Sequence, residues 1–395
     1  MLSSISSSDL PAGIGGSQLR EDHDRYARQT AADRPGVAQP VPTRPVPEQP
    51  WGRIVIGMLV LLVSLVIGWE WLWRTYGALP GVSNTYGLWA IQRRRIDAGE
   101  GDATVLLGAS RILYDIQLPV WERRTGRRPI QLAFEGTSPL PYLEDLAEDP
   151  KFTGRALIGI APELAFSGYA YQGGGVHYAR KESPSQKVGQ WLSMHLIEPY
   201  FAFDDPDFAL ATVLERLPWP ERPGRFWETQ VRKLGYHEVD RNSYLWSKVG
   251  EDRAYRDLWR TIWAQSFEPS PQDPSPEEAL KTEKEQIERI SKAVRKLRAR
   301  GVQVLFVRMP SNGEYLAHEN RLFPRARTWD ILLAASAVPG IHFEDYPQLQ
   351  GYYLPEWSHM TLAEAERFTA ALCDLIGGKF WPDEPHRISS EASTP

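Results

Sequence analysis

Ala103-Thr104-Val105-Leu106-Leu107-Gly108-Ala109-Ser110 is the stretch on which the fold turns. Residues 103–107 form a short apolar run that breaks at Gly108, and Ser110 follows at the turn. A strand without a polar face is buried on both sides, which points to a parallel sheet covered by helices. The pattern recurs outward along the chain. Residues 129–133 precede Gly136, and further apolar runs occupy 156–160, 302–307 and 341–343. Helical stretches separate them. Residues 277–300 carry Ile287, Ile290, Val294 and Leu297 at helical spacing, after Ser275-Pro276 and before Gly301, as start and stop signals require. A second helix opens on Thr361-Leu362-Ala363-Glu364, a capping-box pattern, and runs to about residue 376. This order predicts an α/β domain, a doubly wound five-stranded parallel sheet in a flavodoxin-like three-layer sandwich, over residues 75–381.

Between the third and fourth strands lies a long insertion, about 165–275, holding Trp191, Trp219, Trp227, Trp246, Trp259 and Trp263 without an internal repeat. It reads as a helical layer whose tryptophans fill its own core, with a lid or subdomain over the site as the alternative.

Upstream, residues 54–68 contain no charge, with Trp51 on one side and Trp69, Trp71 and Trp73 on the other. At ~1.5 Å per residue, a helix from Trp51 to Trp73 is about 34 Å long, enough to span a hydrocarbon core. Tryptophans at both ends fit an aromatic belt, and Glu70 falls in the last turn within reach of headgroups. A core helix rarely runs this far without a polar face. A cleaved signal peptide would start nearer the N-terminus and end in small residues, whereas here Tyr76-Gly77-Ala78-Leu79-Pro80 follows. Residues 51–74 are therefore expected to be a retained anchor in a lipid bilayer. Arginines flank it almost evenly, so charge leaves its orientation open. The Ser- and Pro-rich residues 1–50, with Pro40, Pro42, Pro45 and Pro47, and residues 382–395 are expected to be disordered tails.

The chain has 395 residues, with 42% hydrophobic and 24% charged, a globular balance. A net charge of -5 and the lack of a long basic run argue against nucleic acid as a partner. The lone Cys373 falls among Phe368, Leu372 and Ile376 and reads as a small buried hydrophobe. No GxGxxG, P-loop or zinc-ligand spacing occurs, so no cofactor and no metal is expected. His177, His195 and His237 lack metal-ligand spacing and read as structural.

In an open parallel sheet, ligands bind beyond the carboxyl ends of the strands. Ser110 follows the first strand, and His359 precedes the helix that opens at Thr361. A serine hydroxyl becomes a useful nucleophile when a neutral imidazole takes its proton, and an acid on the other ring nitrogen fixes the tautomer. Glu356, three residues before His359, can serve if its loop turns back. Ser110 at such a turn is also a common helix N-cap. Arg111 either binds an anionic group or pairs with a carboxylate at the core edge.

Gly108-Ala109-Ser110 resembles the first block of the SGNH (GDSL-like) hydrolases, whose Gly-Asp-Ser presents the nucleophile. Gly136, in Phe134-Glu135-Gly136-Thr137, is similar to their second block, whose glycine amide lines an oxyanion hole. Glu356-Trp357-Ser358-His359 resembles their last block, Asp-x-x-His, with Glu for Asp. The resemblance covers roughly residues 100–376 and implies Ser110 as nucleophile, His359 as base, Glu356 as its orienting acid, and Ser110 and Gly136 as oxyanion donors. The third block, normally Gly-x-Asn-Asp, is Gly159-Ile160-Ala161-Pro162-Glu163 here. Loss of one oxyanion donor typically costs ~100- to 1,000-fold in rate; Arg111 and Asn312 are the candidate substitutes and substrate-binding residues.

Membrane-anchored proteins of this kind resemble the partners of membrane-bound O-acyltransferases in alginate O-acetylation and lipoteichoic acid D-alanylation. That likeness implies a single-pass protein of the bacterial inner membrane with a periplasmic C-terminal domain. It implies an acyltransferase or esterase acting on a cell-surface or secreted polysaccharide. Two alternatives remain open: a catalytically degenerate binding or assembly subunit of a polysaccharide machine, and a general esterase or lipase.

Overall fold

The structure, a computed structural model, describes residues 49–168, 174–216, 231–268, 270, 271 and 273–381. The expected tails at 1–50 (except its last two residues) and 382–395 lie outside the described residues, as do Trp219 and Trp227. A boundary between two units falls between Leu65 and Val66, inside the first described helix, Trp51–Tyr76. That helix is long and apolar enough to cross a membrane, with a mean hydropathy of 2.2 over its most apolar window and none of that window buried.

The second unit contains a five-stranded parallel sheet. Its strands are β1 (Thr104–Leu107), β2 (Ile130–Gln131), β3 (Arg155–Gly159), β6 (Gln303–Arg308) and β7 (Gly340–His342). They run in the order β2-β1-β3-β6-β7. Leu106 pairs with Gln131 on one side and Leu157 on the other, Leu157 with Leu305, and Val307 with Ile341.

Side chains alternate across a strand, and this alternation divides the core in two. Val105, Leu107, Ile158 and Phe306 pack with Leu143, Ile290, Val294 and Leu332 on one face. Leu106, Leu157, Leu305 and Ile341 pack with Ile112, Trp121, Phe368 and Leu372 on the other. Strands buried on both faces explain the mostly apolar runs of the sequence. Cys373 is buried in the second cluster.

Some local expectations need correction. Thr361 is the N-cap of helix Leu362–Lys379, but its side chain makes no capping bond and Glu364 pairs with Arg367. Capping boxes form instead at Ser275–Glu278 and Ser183–Gln186. The insertion is not purely helical. It contains an antiparallel hairpin of β4 (Gly235–His237) and β5 (Ser243–Leu245). Trp246 and Trp259 do fill a core of the insertion's own, together with Phe208, Tyr236 and Tyr255. Trp73 belongs to that core, so only part of the tryptophan cluster at this helix end faces outward. Glu70 does not reach for headgroups; it accepts bonds from the amides of Ala202 and Phe203, both at 3.1 Å.

The hairpin is tied to the sheet domain by buried polar bonds. Gln117 Nε2 donates to the Ser243 carbonyl at 2.8 Å, and Leu118 N donates to Asn242 Oδ1 at 2.9 Å. Arg241 donates to the carbonyl of Gln131 at 2.9 Å, which satisfies a backbone acceptor on the edge strand β2.

Candidate active site

Loops from the carboxyl ends of several strands converge on one place. Helix Ser110–Asp115 begins three residues after β1. It descends close to the sheet because Gly108 and Gly159 have no side chains. A methyl on Gly108 would lie 2.6 Å from Ile112 Cγ1, and one on Gly159 would lie 2.1 Å from the same atom.

Four residues along the same helix, and so on the same face as Ser110, stands Tyr114. Its ring meets the His359 imidazole edge-on, with centroids 5.3 Å apart. Its hydroxyl donates to Glu135 Oε2 at 2.8 Å, beside Gly136 at the end of the second strand. Tyr114 thus connects the Ser110 helix, the Gly136 turn and the His359 loop.

Glu356 and His359 form a buried pair. Glu356 Oε1 accepts from the His359 amide at 2.6 Å and contacts Nδ1 at 2.9 Å. The loop turns back as this requires because Trp357 takes a left-handed conformation, φ 75°. For a bulky residue this is strained backbone, a feature that clusters at functional sites. Gly313 makes room for it, since a Cβ there would lie 2.6 Å from the Trp357 ring. His359 is 1% exposed, and its Nε2 is buried with no hydrogen-bond partner, so the serine–imidazole bond is not made here.

The insertion reaches the same pair. Trp263 Nε1 donates to Glu356 Oε2 at 2.5 Å, so both carboxylate oxygens are engaged. The His237 ring lies 5.6 Å from that of Tyr114. Burial, followed by Lys233 and Arg241, pushes His237 well below the ordinary histidine range and keeps it neutral.

Arg111 is directed away from solvent. Its Nε donates to Ser358 Oγ at 3.1 Å and its Nη1 to Glu319 at 2.9 Å, and its guanidinium lies over the Tyr315 ring. Of the two readings open in the sequence, it adopts pairing with a core-edge carboxylate. Glu319 also accepts from Arg308 at 2.7 Å and Ser311 at 2.7 Å. Burial alone would raise Glu319, but Arg111 and Arg308 bring it below the usual carboxylate range. This buried network holds Ser358, and with it the loop between Glu356 and His359.

Asn312 follows β6 and sits against that loop, its amide donating to the Trp357 carbonyl at 2.9 Å. Its side-chain Oδ1 is buried and unpartnered. After β3, Pro162 opens the short helix Pro162–Phe166 without an N–H, and Glu163 is half-buried. Burial and then Glu319 raise Glu163 above the ordinary range, with Arg111 opposing.

Asp115 was not apparent from the sequence as a site residue. Its Oδ1 accepts from the Met360 amide at 2.9 Å, while Oδ2 is buried without a partner. Burial is the main cause that lifts it to about 7, against the pull of the nearby His359. Tyr114 and Asp115 lie one turn beyond Ser110 and Arg111, and that spacing was the available signal. Trp263 gave none, being 93 residues from its partner.

No group of three or more His, Cys, Asp or Glu side chains suited to hold a metal occurs among the described residues. No protein-family model, curated protein or solved structure matches the chain.

Proposed function

We propose that this chain is a membrane-anchored, SGNH-like serine acyltransferase or esterase whose α/β domain lies outside the cytoplasm and acts in O-acylation of a polysaccharide. The observation that carries the reading is the Glu356–His359 pair. Nδ1 is committed to a buried carboxylate, while Nε2 is free and lies in the loop that meets the face of the Ser110 helix. Support for a doubly wound sandwich comes from the strand order and from apolar clusters on both sheet faces. Support for a membrane crossing comes from the length and hydropathy of Trp51–Tyr76. The polysaccharide and a membrane-bound O-acyltransferase partner come from the resemblance alone.

In this mechanism His359 Nε2 takes the Ser110 proton as Oγ attacks the acyl carbonyl, and Glu356 stabilises the imidazolium. The amides of Ser110 and Gly136 face the developing oxyanion. The donor alcohol leaves with the proton from His359. An acceptor hydroxyl, or water, then reverses the sequence and frees Ser110.

A second reading, a binding or assembly subunit that has lost catalysis, draws on Ala161 standing where the resemblance expects an asparagine donor, with Pro162 after it. An activated acetyl ester given to the full chain in detergent separates the two. The catalytic reading expects ester turnover with an acetyl group trapped on Ser110, both abolished by Ser110→Ala. Absence of turnover supports the second reading, and turnover unchanged by that substitution removes Ser110 as the nucleophile.

A further inference from the structure

The segment beginning at helix Pro184–Leu192 is tied to the domain by polar bonds of Gln190 and Glu198, while Gln186, Lys187 and His195 stay exposed. Gln190 Oε1 accepts from Thr85 Oγ1 at 2.7 Å, and Glu198 accepts from the Ser83 amide at 2.9 Å and from Ser193 Oγ at 2.6 Å. Apart from the buried Met194, its large apolar residues turn outward. Val188 is 57% exposed, Trp191 54%, Leu196 57% and Tyr200 61%, with Leu192 and Ile197 exposed beside them. Residues 183–197 contain no Asp or Glu, and Lys187 and His195 are their only ionisable side chains. A contiguous apolar face of this kind marks a contact with protein or membrane.

The end of the segment indicates which. Arg74 Nη2 donates to the Tyr200 carbonyl at 2.9 Å, and Glu70 accepts from the Ala202 and Phe203 amides. Tyr200 therefore adjoins the last turns of helix Trp51–Tyr76, where Trp71 is 67% exposed. The apolar face continues the tryptophan-bearing end of that helix.

We propose that residues 188–200 form a second membrane contact, lying in the plane of the leaflet at the C-terminal end of the anchor, with Val188, Trp191, Leu192 and Leu196 in the headgroup–acyl boundary. A short amphipathic segment of this composition binds there through its apolar area, and an adjacent anchor removes most of the cost of bringing it to the surface. The contact fixes how the α/β domain stands on the membrane. This inference rests on the reading that helix Trp51–Tyr76 crosses the bilayer.

The test is lipid quenching in the full chain. Val188→Cys, Leu196→Cys, Leu61→Cys and Lys281→Cys are made singly, and each is labelled with an environment-sensitive fluorophore. The buried Cys373 stays in place. Each protein is reconstituted into vesicles of phosphatidylethanolamine and phosphatidylglycerol containing a lipid with a nitroxide high on its acyl chain. The labels at 188 and 196 should lose most of their emission to the nitroxide and be shielded from aqueous iodide, while the label at 281 shows the reverse. If the label at 61 is lipid-quenched and those at 188 and 196 are open to iodide, the in-plane contact is overturned and the anchor stands. Shielding from both quenchers overturns it in favour of a protein partner or a second copy. A label at 61 that no lipid quenches overturns the anchor reading and this inference with it.

Discussion

Asp115 has one carboxylate oxygen bonded to the Met360 amide and the other sealed without a partner, one residue after Tyr114 and against the His359 loop. Burial lifts it from 3.8 to about 7, so the folded chain holds a proton there that the unfolded chain has released. Its favourable contribution is therefore complete below about pH 4, falls as pH rises, and is gone above about pH 7. At ~1.4 kcal/mol per unit, wild type should lose about 2–3 kcal/mol between pH 5 and pH 8 from this group alone. Asp115→Asn keeps an oxygen for the Met360 amide and cannot ionise. Denaturation of the full chain in detergent at the two pH values should show the variant without that loss. Parallel pH dependence of the two proteins would mean that Asp115 is ionised in the folded state.

Among the elements, the insertion has the least predictable role. Helix Arg253–Ala264 buries Tyr255 and Trp259 in the insertion's own core, and Trp263 from the same helix holds Glu356. Trp263→Phe keeps most of the ring and removes the donor. Because a hydrogen bond to a charged group contributes ~1.5–3 kcal/mol, kcat for ester turnover should fall about 10-fold or more, with KM little changed. A change confined to KM would make Trp263 a wall of the substrate site instead. The strands of the sheet were legible because each lies in a mostly apolar run, and some end at a turn signal, as at Leu107-Gly108 and Gly159. The hairpin was not. Gly235-Tyr236-His237 and Ser243-Tyr244-Leu245 are three residues each, too short for an alternating pattern to register, and they are held by contacts from Gln117 and Leu118 far away in sequence. The capping-box pattern at Thr361 was misleading because Glu364 pairs with Arg367 one turn later.

For the whole molecule, sequence order and topology agree on where chemistry can occur. Ser110, Gly136, Asn312 and the Glu356–His359 pair all follow carboxyl ends of strands in one parallel sheet. Glu356 and His359 were legible as a pair because they stand three positions apart. The supporting network was not, because Arg111, Arg308 and Glu319 meet only once the sheet has formed. The central claim is that Ser110 is a nucleophile activated by His359. A fluorophosphonate probe applied to the full chain in detergent tests it most directly, alongside Ser110→Ala and His359→Gln. The account predicts labelling of the wild type at Ser110, its loss in Ser110→Ala and a strong reduction in His359→Gln. A folded wild type that takes no label, or label retained in Ser110→Ala, would contradict it.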